Sequence, residues 1–205
     1  MRKLFFLLVI LASCTTRVPT IRSGQKVIER RYFEVMGAGD SLRNTSAATI
    51  AIWFRPKAGP PLNQDLFNLS VGGPKEMDHK SRAGIRIIPN GAFQSVARAD
   101  DLEELSEITS APGLVKKNVW QHLALTIDYT NKKQEFYVDG KRIESTGRNI
   151  FTKPTTSDTP SQRVTLGAED DGSFAFFYGD LAGAYVERRI LTEVEIHKIM
   201  KETRP

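Results

Sequence analysis

The stretch from Trp120 to Tyr129 repeats with a period of two, and this constrains the fold more than any other feature of the chain. Trp120, His122, Ala124, Thr126 and Asp128 fall on one side, and Gln121, Leu123, Leu125, Ile127 and Tyr129 on the other. Side chains alternate across a strand, so the run predicts a strand that turns Leu123, Leu125 and Ile127 toward a core. Thr130-Asn131-Lys132-Lys133 reads as a loop and Gln134 to Val138 as the next strand. Asp139-Gly140 then supplies two residues that tolerate positive φ, as a tight hairpin turn into Lys141 to Glu144 requires. A lone hairpin is marginal in water, so the rest of the chain must furnish more strands and a second layer.

It does so on both sides. Thr49 to Phe54 is β-branched and aromatic, and Pro56 stops it. Asp65 to Val71 ends at Gly72-Gly73-Pro74. Ala83 to Ile88 alternates through Ile85 and Ile87, and Pro89-Asn90-Gly91 turns it into Ala92 to Ala97. After a polar loop over 152–162, Arg163 to Gly167, Phe174 to Tyr178 and Asp180 to Arg188 read as further strands. Helix is scarce. Thr192-Glu-Val-Glu195 has capping-box spacing, with Val194, Ile196, Ile199 and Met200 behind it. Asp101 to Ile108 reads as another helical turn. The sum predicts an all-β fold: a two-sheet antiparallel sandwich with one short C-terminal helix.

The N-terminus carries a different signal. Met1-Arg2-Lys3 is a cationic head, followed by eight apolar residues from Leu4 to Leu11. At ~1.5 Å per residue that run is too short for a ~30 Å hydrocarbon core, and it has the length of a signal-peptide core. Leu11-Ala12-Ser13-Cys14 resembles the bacterial lipobox, in which a branched apolar residue and two small residues precede the lipidated cysteine. The resemblance implies cleavage before Cys14, a diacylglycerol thioether on its sulfur and a fatty acyl group, such as palmitate, on its amine. Cys14 is the chain's one cysteine, so it has no intramolecular disulfide partner. Several acyl chains at ~0.8 kcal/mol per buried CH₂ would anchor the protein durably to a membrane. The expected organisation is a signal peptide over 1–13, a lipidated Cys14 with a tether over 14–26, and one domain over 27–205. The expected place is the bacterial cell envelope. Thr15 in place of Asp after the cysteine points to the outer rather than the inner membrane of a Gram-negative cell.

Three segments of the domain resemble the laminin-G-like, concanavalin-A-like jelly-roll family, which includes the pentraxins. Thr49 to Pro56 is similar to its early strand. Trp120-Gln-His-Leu-Ala with Tyr137-Val-Asp-Gly140 is similar to its central signature. Gly179 to Ile196 is similar to its last strand and following helix. The resemblance implies a jelly roll over about 27–200, with Trp120 and Tyr137 as core fillers and the helix over an end of the sandwich. Two positions depart from the family. Ala182 and Gly183 stand where its last strand carries a calcium-holding acidic pair, and Val35-Met36-Gly37 stands where Asp-Gly is usual.

Chemistry is sparse. The net charge is +5, from 29 Lys and Arg against 24 Asp and Glu. Arg2 and Lys3 would leave with the signal peptide, so the mature charge is about +3 and no basic run exceeds two residues. Nucleic acid is not an expected partner. Calcium requires convergent oxygen ligands, and the candidates are Asp170 and Asp171 beside Gly172, together with Asp180. Glu169, Asp100 and Asp101 are further candidate acids, and the plainer reading of the whole set is as solvated loop acids. Glycoside hydrolases of this architecture place carboxylates at alternate positions of one strand. Asp101-Leu-Glu103 comes nearest, but its flanks read as loop or helix and Ala99 stands at the third position. His79, His122 and His197 lie too far apart for a zinc site or triad spacing. Phe174, Phe176, Phe177 and Tyr178 read as core packing.

No catalytic residue is therefore expected, and no residue is singled out for ligand binding. The leading expectation is a lipid-anchored, non-catalytic domain binding glycan or a protein partner. A structural component of an envelope or adhesion complex comes second, and a polysaccharide hydrolase third.

Overall fold

The structure is a computed structural model that describes residues 26–27, 33–35, 45–57, 63–71, 80–98, 105–149, 163–168 and 175–205. Thirteen strands and one helix are described. The first half contributes β1 (Lys26–Val27), β2 (Phe33–Val35), β3 (Ala47–Pro56), β4 (Gln64–Val71), β5 (Lys80–Ile87), β6 (Phe93–Arg98) and β7 (Leu105–Ser110). The second half contributes β8 (Gln121–Asp128), β9 (Lys133–Val138), β10 (Lys141–Ile143), β11 (Ser145–Arg148), β12 (Arg163–Leu166), β13 (Gly179–Glu187) and α1 (Glu193–Glu202). A six-stranded sheet has the order β1-β13-β3-β8-β9-β10, and a seven-stranded sheet the order β11-β7-β6-β5-β4-β12-β2. Every pairing is antiparallel. The two sheets stack as the sandwich that the alternation predicts and as the jelly roll that the resemblance implies.

The central strands follow the residue pattern. Leu123, Leu125 and Ile127 are wholly buried between the sheets, with Ile50, Ile52 and Phe54 from the paired β3. Phe54 meets the Phe93 ring edge-on at 5.6 Å and the Phe177 ring at 6.4 Å, the geometry aromatic quadrupoles favour. One polar bridge crosses this core: the Ser95 hydroxyl donates to Gln134, whose amide donates to Asn149 at 3.0 Å. At the predicted hairpin, Asp139 has φ +50° and Gly140 φ +80°, as the tight turn demands.

Two of these local expectations are corrected. Asp101 to Ile108 is not helical over its described part, because Leu105–Ser110 is β7, with Ile108 packed in the core. Tertiary pairing with β6 overrides a weak local pattern there. The Lys141 strand ends at Ile143, as expected to within a residue. Its continuation passes to the other sheet, with Ile143 opposite Phe136 and Ser145 opposite Ser110, so one continuous segment laces the two sheets together. Residues 175–178 are irregular rather than strand. Ala175 sits at φ +50°, and this bend drops Phe177 into the core. At the other end of the chain Lys26, the last residue of the expected tether, pairs with Asp180.

Helix α1 begins as its sequence predicts. The Thr192 hydroxyl accepts from the Glu195 amide, and the Glu195 carboxylate accepts from the Thr192 amide at 2.8 Å. It does not cap an end of the sandwich. It lies across the outer face of the six-stranded sheet, where Ile196, Ile199 and Leu191 pack on Ala51, Ala124 and Tyr137.

Candidate functional site

The seven-stranded sheet turns a polar face outward. Ala83, Ile85 and Ile87 point into the core, so Gly84 and Arg86 between them face out. The same alternation turns out Gln94 on β6 and Glu107 and Thr109 on β7, because Phe93, Ser95, Ile108 and Ser110 are buried. On β4 a register shift between Asp65 and Phe67 adds a residue, so Leu66 and Phe67 both enter the core while Asp65 and Asn68 share the outer face.

The register aligns these side chains into two rows across the strands. Thr165, Asn68 and Gly84 stand opposite one another on β12, β4 and β5. Asp65, Arg86, Gln94 and Thr109 do so on β4 to β7. The rows are bonded internally. Arg86 Nε lies 3.0 Å from Asp65 Oδ1, the Asn68 amide donates to Asp65 Oδ2 at 3.1 Å, and the Gln94 amide donates to the Thr109 hydroxyl at 3.5 Å. Asp65, Asn68 and Thr165 are wholly buried, and the Arg86 side chain is 13% exposed. A guanidinium fixed by a buried carboxylate is held in one orientation, and amides and hydroxyls beside it supply both donors and acceptors. This is the chemistry that reads hydroxyl-rich or anionic ligands.

Among the described residues this face holds no closely spaced carboxylate pair of the kind hydrolysis uses. Asp65 and Glu107 stand on β4 and β7, three strand spacings or roughly 14 Å apart, beyond the ~5–9.5 Å of glycosidase pairs. Asp65 is moreover committed to Arg86.

Of the carboxylates expected to hold calcium, Asp180 is described, and it is held by cations. Its carboxylate lies 2.5 Å from Arg55 and 3.1 Å from Lys57 while only 2% of the residue is exposed. Burial pushes its pKa up, and the hydrogen bonds and charges of Arg55 and Lys57 outweigh that and hold it below the ordinary carboxylate value. Ala182 and Gly183 flank a register shift in β13, with Gly183 at φ +54°. A Cβ there would come within 2.6 Å of the Thr203 carbonyl, so the end of α1 occupies the space an acidic side chain would need. Among the described residues no group of three or more His, Cys, Asp or Glu converges as a metal site. Asp170 and Asp171 lie outside the described residues, as do Cys14, Glu169, Asp100, Asp101, Glu103, His79 and Phe174.

The two described histidines, His122 and His197, lie in different surroundings. His122 is fully buried beneath α1, edge-on to Trp53 at 5.2 Å, and neither ring nitrogen has a hydrogen-bond partner. Burial lowers its pKa to about 4, so it is a neutral packing group. His197 stands on the exposed side of α1 over Gly140. Tyr137 is buried, but under α1 rather than between the sheets. Trp120 is not a core filler. It is half-buried, with the Arg55 guanidinium 5.0 Å above its ring. Phe177 packs in the core, while Phe176 and Tyr178 are half-buried.

Alternation alone could have assigned Arg86 and Gln94 to the outer face, since each stands between core residues. The pairing of Asp65 with Asn68 could not be found that way, because it depends on the extra residue in β4.

Comparison with known proteins agrees with this architecture. Solved structures with the same fold include the CBM40 domain of the Ruminococcus gnavus IT-sialidase, with TM-score 0.61 and 23% identity over 80% of this chain and 86% of that one. A second structure of that domain, bound to α2,3-sialyllactose, has TM-score 0.60 and 22% identity over 78% and 85% of the two chains. The leech intramolecular trans-sialidase has TM-score 0.65 and 19% identity over 85% of this chain, but that match spans 26% of the enzyme. No curated protein matches significantly. A family model described as the concanavalin A-like lectin/glucanases superfamily matches residues 31–197. The chain therefore belongs to the concanavalin A-like lectin/glucanase superfamily.

Proposed function

We propose that the chain is a non-catalytic glycan-binding module, held at the bacterial cell envelope by lipid on Cys14, with its ligand on the outer face of the seven-stranded sheet. The observation that carries the reading is the row Asp65–Arg86–Gln94–Thr109, set in register across four strands and bonded in two pairs, Asp65 with Arg86 and Gln94 with Thr109. Such a row is preorganised, so little ordering cost remains when a ligand docks. The fold of a domain solved with sialyllactose supports a glycan as the ligand class. The wide separation of Asp65 and Glu107 supports binding without hydrolysis. Anchoring rests on Leu11-Ala12-Ser13-Cys14 after the apolar run.

The test is a glycan array probed with the full chain in detergent, beside a Gln94→Leu/Thr109→Val variant. Wild type is expected to give reproducible hits, and the variant to lose roughly tenfold in affinity from two missing hydrogen-bonding groups. Silence across the array, or hits of equal strength for the variant, would remove the reading. The anchor is checked by Cys14→Ser, which should move the protein from the membrane to the soluble fraction. Retention in the membrane would contradict lipidation.

A further inference from the structure

We infer that a cavity between α1 and the outer face of the six-stranded sheet is a second ligand site, built for a carboxylate-bearing sugar ring such as a uronic acid. It goes beyond the reading of the seven-stranded face and does not depend on it. The cavity has a volume of about 490 Å³, within the ~300–1,000 Å³ of small-molecule sites. Its walls include Trp53, Trp120, Asp139, His197, Lys201 and Arg204.

The chemistry of these walls is selective. Among the described residues Lys201 and Arg204 have no ion-pair partner, and both are exposed. The Asp139 carboxylate accepts from the His122 amide at 2.9 Å, so part of its capacity is already used. Met200 and Pro205 complete the walls, and among the side chains the cavity offers two uncommitted cations against one engaged carboxylate, which favours an anion. An Arg fork matches a carboxylate in particular. The half-buried Trp120 indole adds apolar surface, backed by the buried Trp53, which suits the C–H face of a sugar ring better than a bare inorganic anion.

The aromatic wall is also held in place. Trp53 donates from Nε1 to the Met200 carbonyl at 3.2 Å. Trp120 carries the Arg55 guanidinium over its ring, and Arg55 is itself bonded to the buried Asp180. This chain of contacts fixes the indole before any ligand arrives, and preorganised walls lower the cost of binding. It also gives Asp180 a task as a positioning residue: its charge orients Arg55, and Arg55 orients Trp120.

The chain's two tryptophans both line this cavity, so intrinsic fluorescence reports on it directly. Titration of the full chain with glucuronate should change the tryptophan emission, and glucose, the neutral counterpart, should not. Replacing both cations, Lys201→Gln with Arg204→Gln, should weaken glucuronate binding at least tenfold without altering the fold, since both side chains are exposed. The Gln94→Leu/Thr109→Val variant should respond to glucuronate as wild type does, whatever the glycan array shows for the seven-stranded face. No emission change, an equal response to glucose, full affinity in the Lys201/Arg204 variant, or a lost response in the Gln94/Thr109 variant would each overturn the assignment.

Discussion

The outer face of the six-stranded sheet is closed by a helix packed on Ala51, Ala124 and Tyr137, whereas that of the seven-stranded sheet presents Arg86, Gln94, Glu107 and Thr109. Both sheets bury the same kind of inner face, so the contrast comes entirely from the outward positions. Small and aromatic residues outside β3, β8 and β9 make a surface that water disfavours, and α1 removes it from water. Gln94, Glu107 and Thr109 outside β6 and β7 stay partly exposed, and the buried Asp65 and Asn68 beside them hydrogen-bond to one another. The helix-covered contacts should therefore weigh mainly on stability and the outward polar side chains of the seven-stranded sheet mainly on the proposed binding, and substitutions should separate along that line.

The largest effect belongs to the covered face. Trp53→Ala would delete an indole that packs on His122 and bonds the Met200 carbonyl, costing about 3–5 kcal/mol in denaturant unfolding. A cost below about 1 kcal/mol would mean that α1 is not tied to the sheet as described.

Acid should act on the same face. In the unfolded chain the His122 imidazole takes up a proton below about pH 6.5, while the buried ring resists it until about pH 4. Stability is complete above pH 6.5 and falls as pH drops toward 4, by about 3 kcal/mol in all, because the unfolded state binds the proton first. His122→Phe should flatten that window. An unchanged pH profile in the variant would place the acid sensitivity elsewhere.

Much of this division was legible in the residues. The period of two from Trp120 to Tyr129 located β8 and its inner face, and Asp139-Gly140 located the turn, because both depend on local chemistry. The side on which α1 docks was not legible. It depends on which sheet leaves an apolar outer face, and that follows from sheet order rather than from the helix. The site was hidden for a related reason. Asp65 and Asn68 are three residues apart, which in a regular strand puts them on opposite faces, and the irregularity that reunites them is a property of the β4–β5 pairing. Likewise the family resemblance made Trp120 a core filler, whereas its alternation sets it on the side away from Leu123 and Leu125, and it stands just before β8 begins, at the rim where Arg55 meets it.

The helix start offers a smaller perturbation of the covered face. Thr192→Ala would remove the hydroxyl that accepts from the Glu195 amide, at a cost of about 1 kcal/mol, readable as a lower midpoint of thermal unfolding. Smallest of all should be the polar face: Gln94→Leu/Thr109→Val should alter stability by less than about 0.5 kcal/mol while weakening glycan binding. A large stability loss there would assign that face to folding and erase the contrast.

The most direct test follows backbone amide resonances of the isotopically labelled chain during titration with 3′-sialyllactose. The account predicts shifts clustered on Asn68, Arg86, Gln94 and Thr109, with Ile50 and Leu125 in the core unmoved. Saturating sugar that leaves those four resonances in place would contradict it.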